Sequence, residues 1–296
     1  MSSRDDLLQL VSTLSEYECS QLMGLVGGTV AGNRFWETDI ATLYNESVKL
    51  RYFNVARNAA AAAPPVPVVE DGIFAPIPIL KSYSEAERVA LPAPASIVSE
   101  FGETLLNRRS ERDYDGGAIS LEVLSALLQH GCGTTGFAAA YGYTRLPLRT
   151  FPSSGGLQAP EVYLSAQAVE GVDPGIYHYH PVDHKLELIK PGNHGSTLRD
   201  LALDQPWVET ASVVMIITGF YERLRWKYQA RGYRFMCMDA GFLAENICLS
   251  ARALSLGACA IAGFIDDGLE TLLGIDGEDE VPLLLISVGT PGRPAL

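Results

Sequence analysis

Four cationic side chains fall within ten residues of a chain whose formal net charge is −13 at pH 7. They are Arg225, Lys227, Arg231 and Arg234, and aromatic residues lie between them. In an acidic protein such a cluster suits an anion, a reaction or a partner, with a solvated basic helix face as the ordinary alternative. Lys227 beside Tyr228 predicts a proton-transfer pair, because apolar surroundings lower the pKa of a lysine toward neutrality. Gly232 is expected to break the run.

A second group of cations follows a predicted helix. Arg108, Arg109, Ser110 and Arg112 place three guanidinium groups and one hydroxyl within five residues. Arginine presents a planar fork of donors that pairs bidentately with phosphate oxygens, so this cluster predicts a phosphate site. A surface arginine cluster without a ligand is the alternative.

Two glycine-containing segments offer contacts to a flat ligand. The first combines hydroxyl, amide and backbone donors with room for close approach, and contains Ser153, Ser154, Gly155, Gly156 and Gln158. The second contains Ala262 and Gly263, where a backbone N–H could face a ligand ring. Taken singly, each segment is equally compatible with an ordinary turn.

Hydrophobic periodicity predicts the elements that hold these residues. Longer helices are predicted over residues 97–107, 121–130 (capped by Ser120) and 240–256, and short helices over residues 200–203 and 267–273. A glycine-rich loop is predicted around residues 131–136. Strands are predicted over residues 161–165, 175–179, 185–189, 212–219, 258–264 and 281–288, the second and third as a hairpin. Helices and strands mix without strict alternation, which predicts an α+β fold with a mainly antiparallel central sheet flanked by helices.

Composition excludes several classes of function. The acidic balance argues against nucleic-acid binding, which depends on a basic surface. The longest apolar runs are too short to span a membrane, and the first residues lack the apolar segment of a secretory signal. The five cysteines include no Cys-x-x-Cys pair, so we expect buried thiols, a reducing cytoplasm and no metal site.

The chain is predicted to divide into two regions. Residues 1–95 form a helical and proline-rich arm, and residues 96–296 form the domain that carries the motifs above. The arm is expected to have little regular structure. It wraps a partner subunit, closes over a site, or serves as a plain linker.

The order and spacing of the motifs resemble the FMN-dependent nitroreductase superfamily and, within it, the SagB-type azoline dehydrogenases. The resemblance covers roughly two-thirds of the chain. The superfamily motifs are Arg-Arg-Ser-x-Arg at 108–112, Pro-Ser-Ser-Gly-Gly-x-Gln at 152–158 and Ala-Gly-Phe at 262–264. The SagB-type motifs are Gly-Ile-Tyr-His-Tyr at 175–179, Lys-Tyr-x-x-Arg-Gly-Tyr-Arg at 227–234 and Asp-x-Gly at 239–241, expected to open a helix.

The resemblance implies a nitroreductase-like fold, dimeric with swapped extensions, and FMN at the subunit interface. Arg108, Ser110 and Arg112, with Arg109 beside them, would hold the FMN phosphate and nearby polar groups. The flavin would be lined by Ser153, Ser154, Gly155, Gly156 and Gln158, with Ala262 and Gly263 as backbone donors near N5. Arg293 would add a late phosphate contact. Nitroreductases often carry Asn where Gly156 stands, so one side-chain contact to the ring is missing.

The resemblance also implies a reaction in which Lys227 and Tyr228 are catalytic. A thiazoline or oxazoline becomes an azole when a base takes the acidic α-proton while the β-carbon hydride passes to flavin N5. Either residue could serve as the base or stabilise the developing charge. The implied partners are a heterocyclised precursor peptide and a cyclodehydratase. Two alternatives remain, namely an NAD(P)H-dependent nitro- or ene-reductase and a non-catalytic scaffold for a cyclodehydratase.

Overall fold

A seven-stranded antiparallel sheet and a separate hairpin form the framework of the computed structural model, which describes residues 77–292. The strands are β1 (Arg88–Ala90), β2 (Thr134–Ala140), β3 (Tyr143–Arg149), β4 (Pro160–Ala166), β5 (Gly175–His180), β6 (Lys185–Pro191), β7 (Val213–Phe220), β8 (Gly257–Ile261) and β9 (Glu280–Gly289). The order across the sheet is β1-β6-β5-β4-β7-β9-β8, and every neighbouring pair is antiparallel. Strands β2 and β3 pair only with each other.

Seven helices accompany the strands in this part of the chain. They are α1 (Phe101–Asn107), α2 (Leu121–Cys132), α3 (Gly195–Leu201), α4 (Trp207–Thr210), α5 (Glu222–Tyr228), α6 (Arg231–Ala253) and α7 (Asp266–Leu273). The predicted cap of α2 is confirmed, because the Ser120 hydroxyl accepts a hydrogen bond from the Val123 N–H at 3.3 Å. None of these helices has the length and hydropathy needed to cross a membrane.

The core lies on both faces of the sheet. Alternate residues of β4 and β7 point to opposite faces, and both strands are buried almost throughout. Val162 and Met215 belong to the cluster under α2 and α6, whereas Ile216 belongs to the cluster under α3, α4 and α7. Each such buried aliphatic side chain contributes about 1.5–3 kcal/mol to stability through its removal from water. The predicted α+β fold with an antiparallel sheet is confirmed.

The structure differs from the prediction at a loop, a helix and a cysteine. Residues 131–136 do not form a glycine-rich loop, because α2 continues to Cys132 and β2 starts at Thr134. Strand β2 was concealed in the sequence because its side chains are mostly Ala, Gly and Thr, which give no apolar alternation. The predicted helix at residues 200–203 lies earlier, as α3. Cys237 is exposed rather than buried, while Cys132, Cys248 and Cys259 are buried.

The segment with the four cations, residues 225–234 (the basic stretch), is interrupted at a different residue from the one predicted. Helix α6 begins at Arg231, so Gly232 lies inside its first turn and Asp239 lies in its middle instead of opening it. A Cβ on Gly232 would stand 3.0 Å from the Leu224 Cβ, and glycine therefore allows α5 and α6 to approach closely. The break falls at Gln229, whose φ of 51° reverses the chain between the two helices.

The described part of the predicted arm, residues 77–95, packs against the domain. Strand β1 pairs with β6 and forms one edge of the sheet, so this part of the arm is more regular than predicted. The Lys81 ammonium pairs with the Glu280 carboxylate and donates to the Tyr163 hydroxyl at 2.6 Å. Residues 1–76 and the predicted phosphate contact Arg293 lie outside the described residues. The division of the chain at residue 96 stays a prediction.

Candidate active site

Lys227 and Tyr228 form the last turn of α5. The Lys227 ammonium donates a hydrogen bond to the Tyr141 hydroxyl at 2.5 Å and lies 4.2 Å from the centre of the Tyr141 ring. It also lies 5.0 Å from the centre of the Tyr228 ring. The Tyr141 ring meets Trp226 edge to face, with centroids 5.8 Å apart. The predicted pair is therefore enclosed by aromatic side chains from α5 and from the β2–β3 hairpin.

The loop at residues 153–158 (the glycine loop), which was predicted to contact the flavin, lies against this pair. Gly155 and Gly156 have φ values of 63° and 70°, in the left-handed region that glycine tolerates. A Cβ on Gly155 would stand 2.6 Å from the Tyr228 hydroxyl and 3.1 Å from the Lys227 ammonium. Gly155 and Lys227, which are 72 residues apart in the sequence, thus meet at one point, and the close approach requires glycine.

Asp239 attaches this loop to α6. Its Oδ2 accepts hydrogen bonds from the Ser154 N–H at 2.8 Å and the Ser153 hydroxyl at 3.1 Å. Its Oδ1 accepts from the Ser154 hydroxyl at 2.8 Å. Ser153 Oγ in turn accepts from the Gln158 N–H at 2.9 Å. The two serine hydroxyls that were predicted to face the flavin are therefore already used in fixing the loop.

Gln158 continues the loop into the interior. Its side chain is buried and donates from Nε2 to the Pro147 carbonyl at 3.1 Å, while its Oε1 has no hydrogen-bond partner. Its carbonyl accepts a hydrogen bond from Arg223 at 2.7 Å. The role predicted for Gln158 beside the flavin stays a prediction.

The arginine cluster lies beside the C-terminal half of α6. Arg108 approaches Glu245 with 3.7 Å between Nε and Oε1. Ser110 forms a parallel bridge with Ala258 of β8, and the Glu111 N–H donates to the Ala258 carbonyl at 3.0 Å. The cluster is thereby fixed beside the strand that leads to the exposed Ala262 and Gly263.

Helix α6 is the element that relates the two predicted cofactor segments. Asp239 holds the glycine loop and Glu245 faces the arginine cluster. The two acidic residues are six positions apart, which corresponds to about 9 Å along a helix axis. One rigid helix therefore sets the distance between the arginine cluster and the glycine loop.

The donor chemistry of these residues fits FMN. Arg109 and Arg112 are exposed and Arg108 is partly exposed, so three guanidinium groups are accessible to a phosphate. Arg109 and Arg112 donate to backbone carbonyls, which leaves further N–H groups on each fork. The paired glycines at 155 and 156 leave backbone uncovered beside Lys227 and Tyr228. The individual cofactor contacts stay predictions.

The protonation of Lys227 differs from the prediction. Burial lowers the pKa of Lys227, but hydrogen bonds to Tyr141 and Tyr228 outweigh it, and the pKa lies above its ordinary value. The prediction of a lysine tuned toward neutrality was wrong, because it assumed apolar walls where the site has phenolic oxygens. Lys227 is an ammonium at neutral pH.

The other cations of the basic stretch have different surroundings. Arg225 pairs with Glu222 at 2.8 Å on the exposed side of α5, and Arg231 lies over the Phe235 ring at 5.4 Å. A surface depression adjoins the exposed side of this helix and is lined by Tyr221, Arg225, Trp226, Gln229, Ala230 and Glu278. The run of charge predicted as one unit thus serves more than one surface.

Two residues that organise the site, Tyr141 and Arg223, were not predicted from the sequence. Tyr141 contacts Lys227 directly. Arg223 is buried and donates to the carbonyls of Pro78 and Gln158 and to Glu161 Oε1, at 2.8, 2.7 and 2.5 Å. The available signal was Glu161 itself, a lone carboxylate at the head of an apolar strand, which needs a buried partner.

A buried charge network continues from Arg223 under the sheet. Glu161 Oε2 lies 3.1 Å from His178 Nε2, and Glu187 Oε2 lies 3.1 Å from His178 Nδ1. Both hydrogen bonds form together only when His178 carries two N–H groups, since both carboxylates are acceptors. Within residues 77–292, no three His, Cys, Asp or Glu side chains gather so as to hold a metal ion.

Comparison with known proteins identifies chains that this protein is similar to. The model of the nitroreductase family matches residues 105–290. The putative nitroreductase MJ1384 of Methanocaldococcus jannaschii is 35% identical over 188 residues, which are 63% of this chain and 89% of that protein. The microcin B17-processing protein McbC of Escherichia coli is 28% identical over 142 residues, 46% of this chain and 52% of McbC. The match to McbC thus spans about half of its length.

A solved structure extends the likeness to the fold. A chain of the E. coli microcin synthetase McbBCD complex, with truncated pro-MccB17 bound, is similar with a TM-score of 0.52 and 20% identity. The likeness covers 87% of this chain and 99% of that chain. These comparisons confirm the nitroreductase-like fold predicted from the motifs.

Proposed function

Because the chain belongs to the nitroreductase family, we propose that it oxidises azoline rings of a ribosomally made peptide to azoles, with FMN as cofactor. The observation that carries the proposal is the contact of Lys227 and Tyr228 with the glycine loop at Gly155. The sequence similarity to the microcin B17-processing protein McbC supports a peptide as the substrate.

The reaction removes a proton from the α-carbon and a hydride from the β-carbon of the azoline ring. Loss of the proton places negative charge on the neighbouring carbonyl and C=N group. Lys227 is charged, so it stabilises this charge as it develops. Tyr228, which shares a hydrogen bond with Lys227, would then act as the base, its phenolate taking the α-proton to become the neutral phenol.

The cofactor would be held by the residues named in the sequence. Arg108, Arg109, Ser110 and Arg112 would bind the phosphate, and residues 153–156 would lie along the ring. Bound FMN would supply the acceptor for the hydride. Asp239 keeps the loop fixed, so that the flavin ring would keep a constant position relative to Lys227 and Tyr228.

We further propose a homodimer in which the partner covers an apolar surface. Helix α1 exposes 67% of Phe101 and 71% of Leu106. Helix α6, which packs beside α1, exposes Met238 and Phe242. Exposed apolar side chains grouped on adjacent helices are typical of a subunit interface. A cyclodehydratase and the heterocyclised precursor peptide would be the further partners, in the cytoplasm.

An anaerobic visible spectrum tests the function. Purified protein reconstituted with FMN is mixed with an azoline-bearing peptide in one cuvette and with NADPH in another. We expect the peptide to bleach the flavin and NADPH to leave it unchanged. Lys227→Ala should retain FMN and lose bleaching by the peptide, whereas Lys190→Ala, at an exposed lysine of β6, should behave as the wild type.

The other outcomes identify the alternatives. Bleaching by NADPH alone would assign the chain to the nitro- or ene-reductases of the same family. Failure to bind FMN, with peptide chemistry in a reconstituted complex indifferent to Lys227→Ala, would assign it to a scaffold for a cyclodehydratase.

A further inference from the structure

The β2–β3 hairpin closes with a two-residue turn. Ala140 pairs with Tyr143, so Tyr141 and Gly142 are the two connecting residues. Their φ values are 52° and 81°. Positive φ at both positions is the mark of a type I′ turn, which is favoured in hairpins because its twist matches that of the strands.

Tyrosine is a poor choice for this turn. The first position of a type I′ turn favours Asn, Asp or Gly, because these residues tolerate the left-handed conformation. A bulky side chain at positive φ is strained, and such strain concentrates at functional sites. The stability of the hairpin therefore does not explain the choice of Tyr141.

The position of its hydroxyl provides an explanation. Tyr141 Oη receives the hydrogen bond of Lys227 at 2.5 Å, and it lies 3.4 Å from the Cβ position of Gly155. The ring lies under the Lys227 ammonium and is supported edge to face by Trp226. The turn thus brings a phenol from a separate hairpin to the point where the catalytic pair meets the glycine loop.

We propose that Tyr141 is a positioning residue of the active site, which holds the Lys227 ammonium in its charged form and aims it at the substrate. This inference rests on the proposed function, since Lys227 is the group on which Tyr141 acts. A phenol oxygen accepts one of the three ammonium N–H groups and so fixes the direction of the other two. The contact between the ammonium and the Tyr141 ring also favours the charged form of Lys227.

The titratable groups around Lys227 support this arrangement. Tyr141 comes from the hairpin and Tyr228 from α5, while the loop at residues 154–156 presents Gly155. The hydrogen bond to Tyr141 is the largest influence that raises the pKa of Lys227 against the lowering effect of burial. Removal of the Tyr141 hydroxyl should therefore release more free amine at a given pH.

Chemical labelling measures this effect without azoline turnover. The FMN-loaded full chain is treated with a limiting acylating reagent at pH 8, and the rate at Lys227 is compared by mass spectrometry with that at the exposed Lys190. We expect Tyr141→Phe to raise the relative rate at Lys227 severalfold. The matched control is Tyr143→Phe, which removes a hydroxyl from the same hairpin. In the wild type this hydroxyl donates to the Ile77 carbonyl at 2.6 Å. This control should leave the rate at Lys227 unchanged.

A second variant separates positioning from folding. Tyr141→Asn places a residue suited to the turn, so the melting temperature should be unchanged or higher. We expect kcat for the azoline peptide to fall about tenfold or more, as loss of one hydrogen bond in the transition state would give, with KM nearly unchanged.

Three results would overturn the inference. They are an unchanged labelling rate in Tyr141→Phe, wild-type kcat in Tyr141→Asn, and a lower melting temperature in Tyr141→Asn. The third would show that tyrosine is there to stabilise the turn. If the protein proves inactive on azolines, the labelling result still decides whether Tyr141 controls Lys227, so the two failures are distinguishable.

Discussion

Asp239 accepts two hydrogen bonds from Ser154, one from the backbone N–H and one from the hydroxyl, each at 2.8 Å. The first contact fixes the chain and the second fixes the side chain. Together they attach the glycine loop to the middle of α6, the helix that also faces the arginine cluster through Glu245. The position of the loop relative to Lys227 thus depends on a single buried carboxylate.

Removal of this carboxylate should weaken cofactor binding. In Asp239→Ala the Ser154 N–H and two serine hydroxyls lose their acceptor, which costs about 1–3 kcal/mol for a buried unsatisfied donor. We expect the dissociation constant of FMN, measured by fluorescence titration, to rise about tenfold or more. Asp200→Ala, at an exposed carboxylate paired with Arg199, should leave it unchanged. Equal FMN affinity in both variants would show that the loop does not contact the cofactor.

Gly155 allows a test of close approach that is separate from backbone strain. In Gly155→Ala the new Cβ would stand 2.6 Å from the Tyr228 hydroxyl, in addition to the strain of φ 63°. In Gly171→Ala the strain is similar, with φ 74°, but no atom lies within 4 Å of the new Cβ. Both variants should lose about 1 kcal/mol of stability. We expect only Gly155→Ala to lose azoline oxidation, by about a hundredfold, because it displaces Tyr228.

The comparison of rates decides this prediction. If Gly171→Ala loses as much activity as Gly155→Ala, the loss comes from general destabilisation. If Gly155→Ala keeps its activity, Tyr228 does not depend on the position that the glycine gives it.

The sequence allowed the framework and the motifs to be predicted, but not how the motifs meet. Strands β7 and β9 contain apolar runs that predict buried strands, and both are largely buried. The contact between Gly155 and Tyr228 depends on tertiary packing, which no local pattern specifies. The raised pKa of Lys227 was missed for the same reason, since it depends on Tyr141, which is 86 residues away in the sequence.

Arg223 should be far more important for stability than its neighbour on α5. Arg223 is buried and donates to Pro78, Gln158 and Glu161, whereas Arg225 is exposed and pairs at the surface with Glu222. Arg223→Met leaves Glu161 as a buried charge without its main partner, which costs about 3–5 kcal/mol. We expect a large fall in the free energy of unfolding measured with urea, and little change in Arg225→Met.

A double variant distinguishes the ion pair from packing. Glu161→Gln removes the charge that Arg223 neutralises, so Arg223→Met should cost less in that background than in the wild type. If the two losses simply add, the pair is not coupled and the buried network has no common role.

The free energy of unfolding at acidic pH should depend on the same network. Burial alone would raise the pKa of Glu161, but Arg223 and His178 outweigh it and lower the pKa to about 2, from an ordinary value of 4.5. A carboxyl with a lowered folded pKa stabilises the protein above its unfolded pKa, and this contribution is lost as the pH falls toward the folded pKa. The loss therefore falls between pH 4.5 and about 2 and amounts to about 3 kcal/mol.

Urea unfolding across this range tests the assignment. Glu161→Gln should be less stable than the wild type at pH 7, since it has no charge to pair with Arg223, and the difference should shrink as the pH falls toward 2. Glu209→Gln, at an exposed carboxylate that pairs with Arg199, should follow the wild-type curve. A Glu161→Gln curve parallel to that of the wild type would mean that Glu161 does not titrate in this range, and that the stabilising charge of the network lies elsewhere, with Glu187 as the next carboxylate to test.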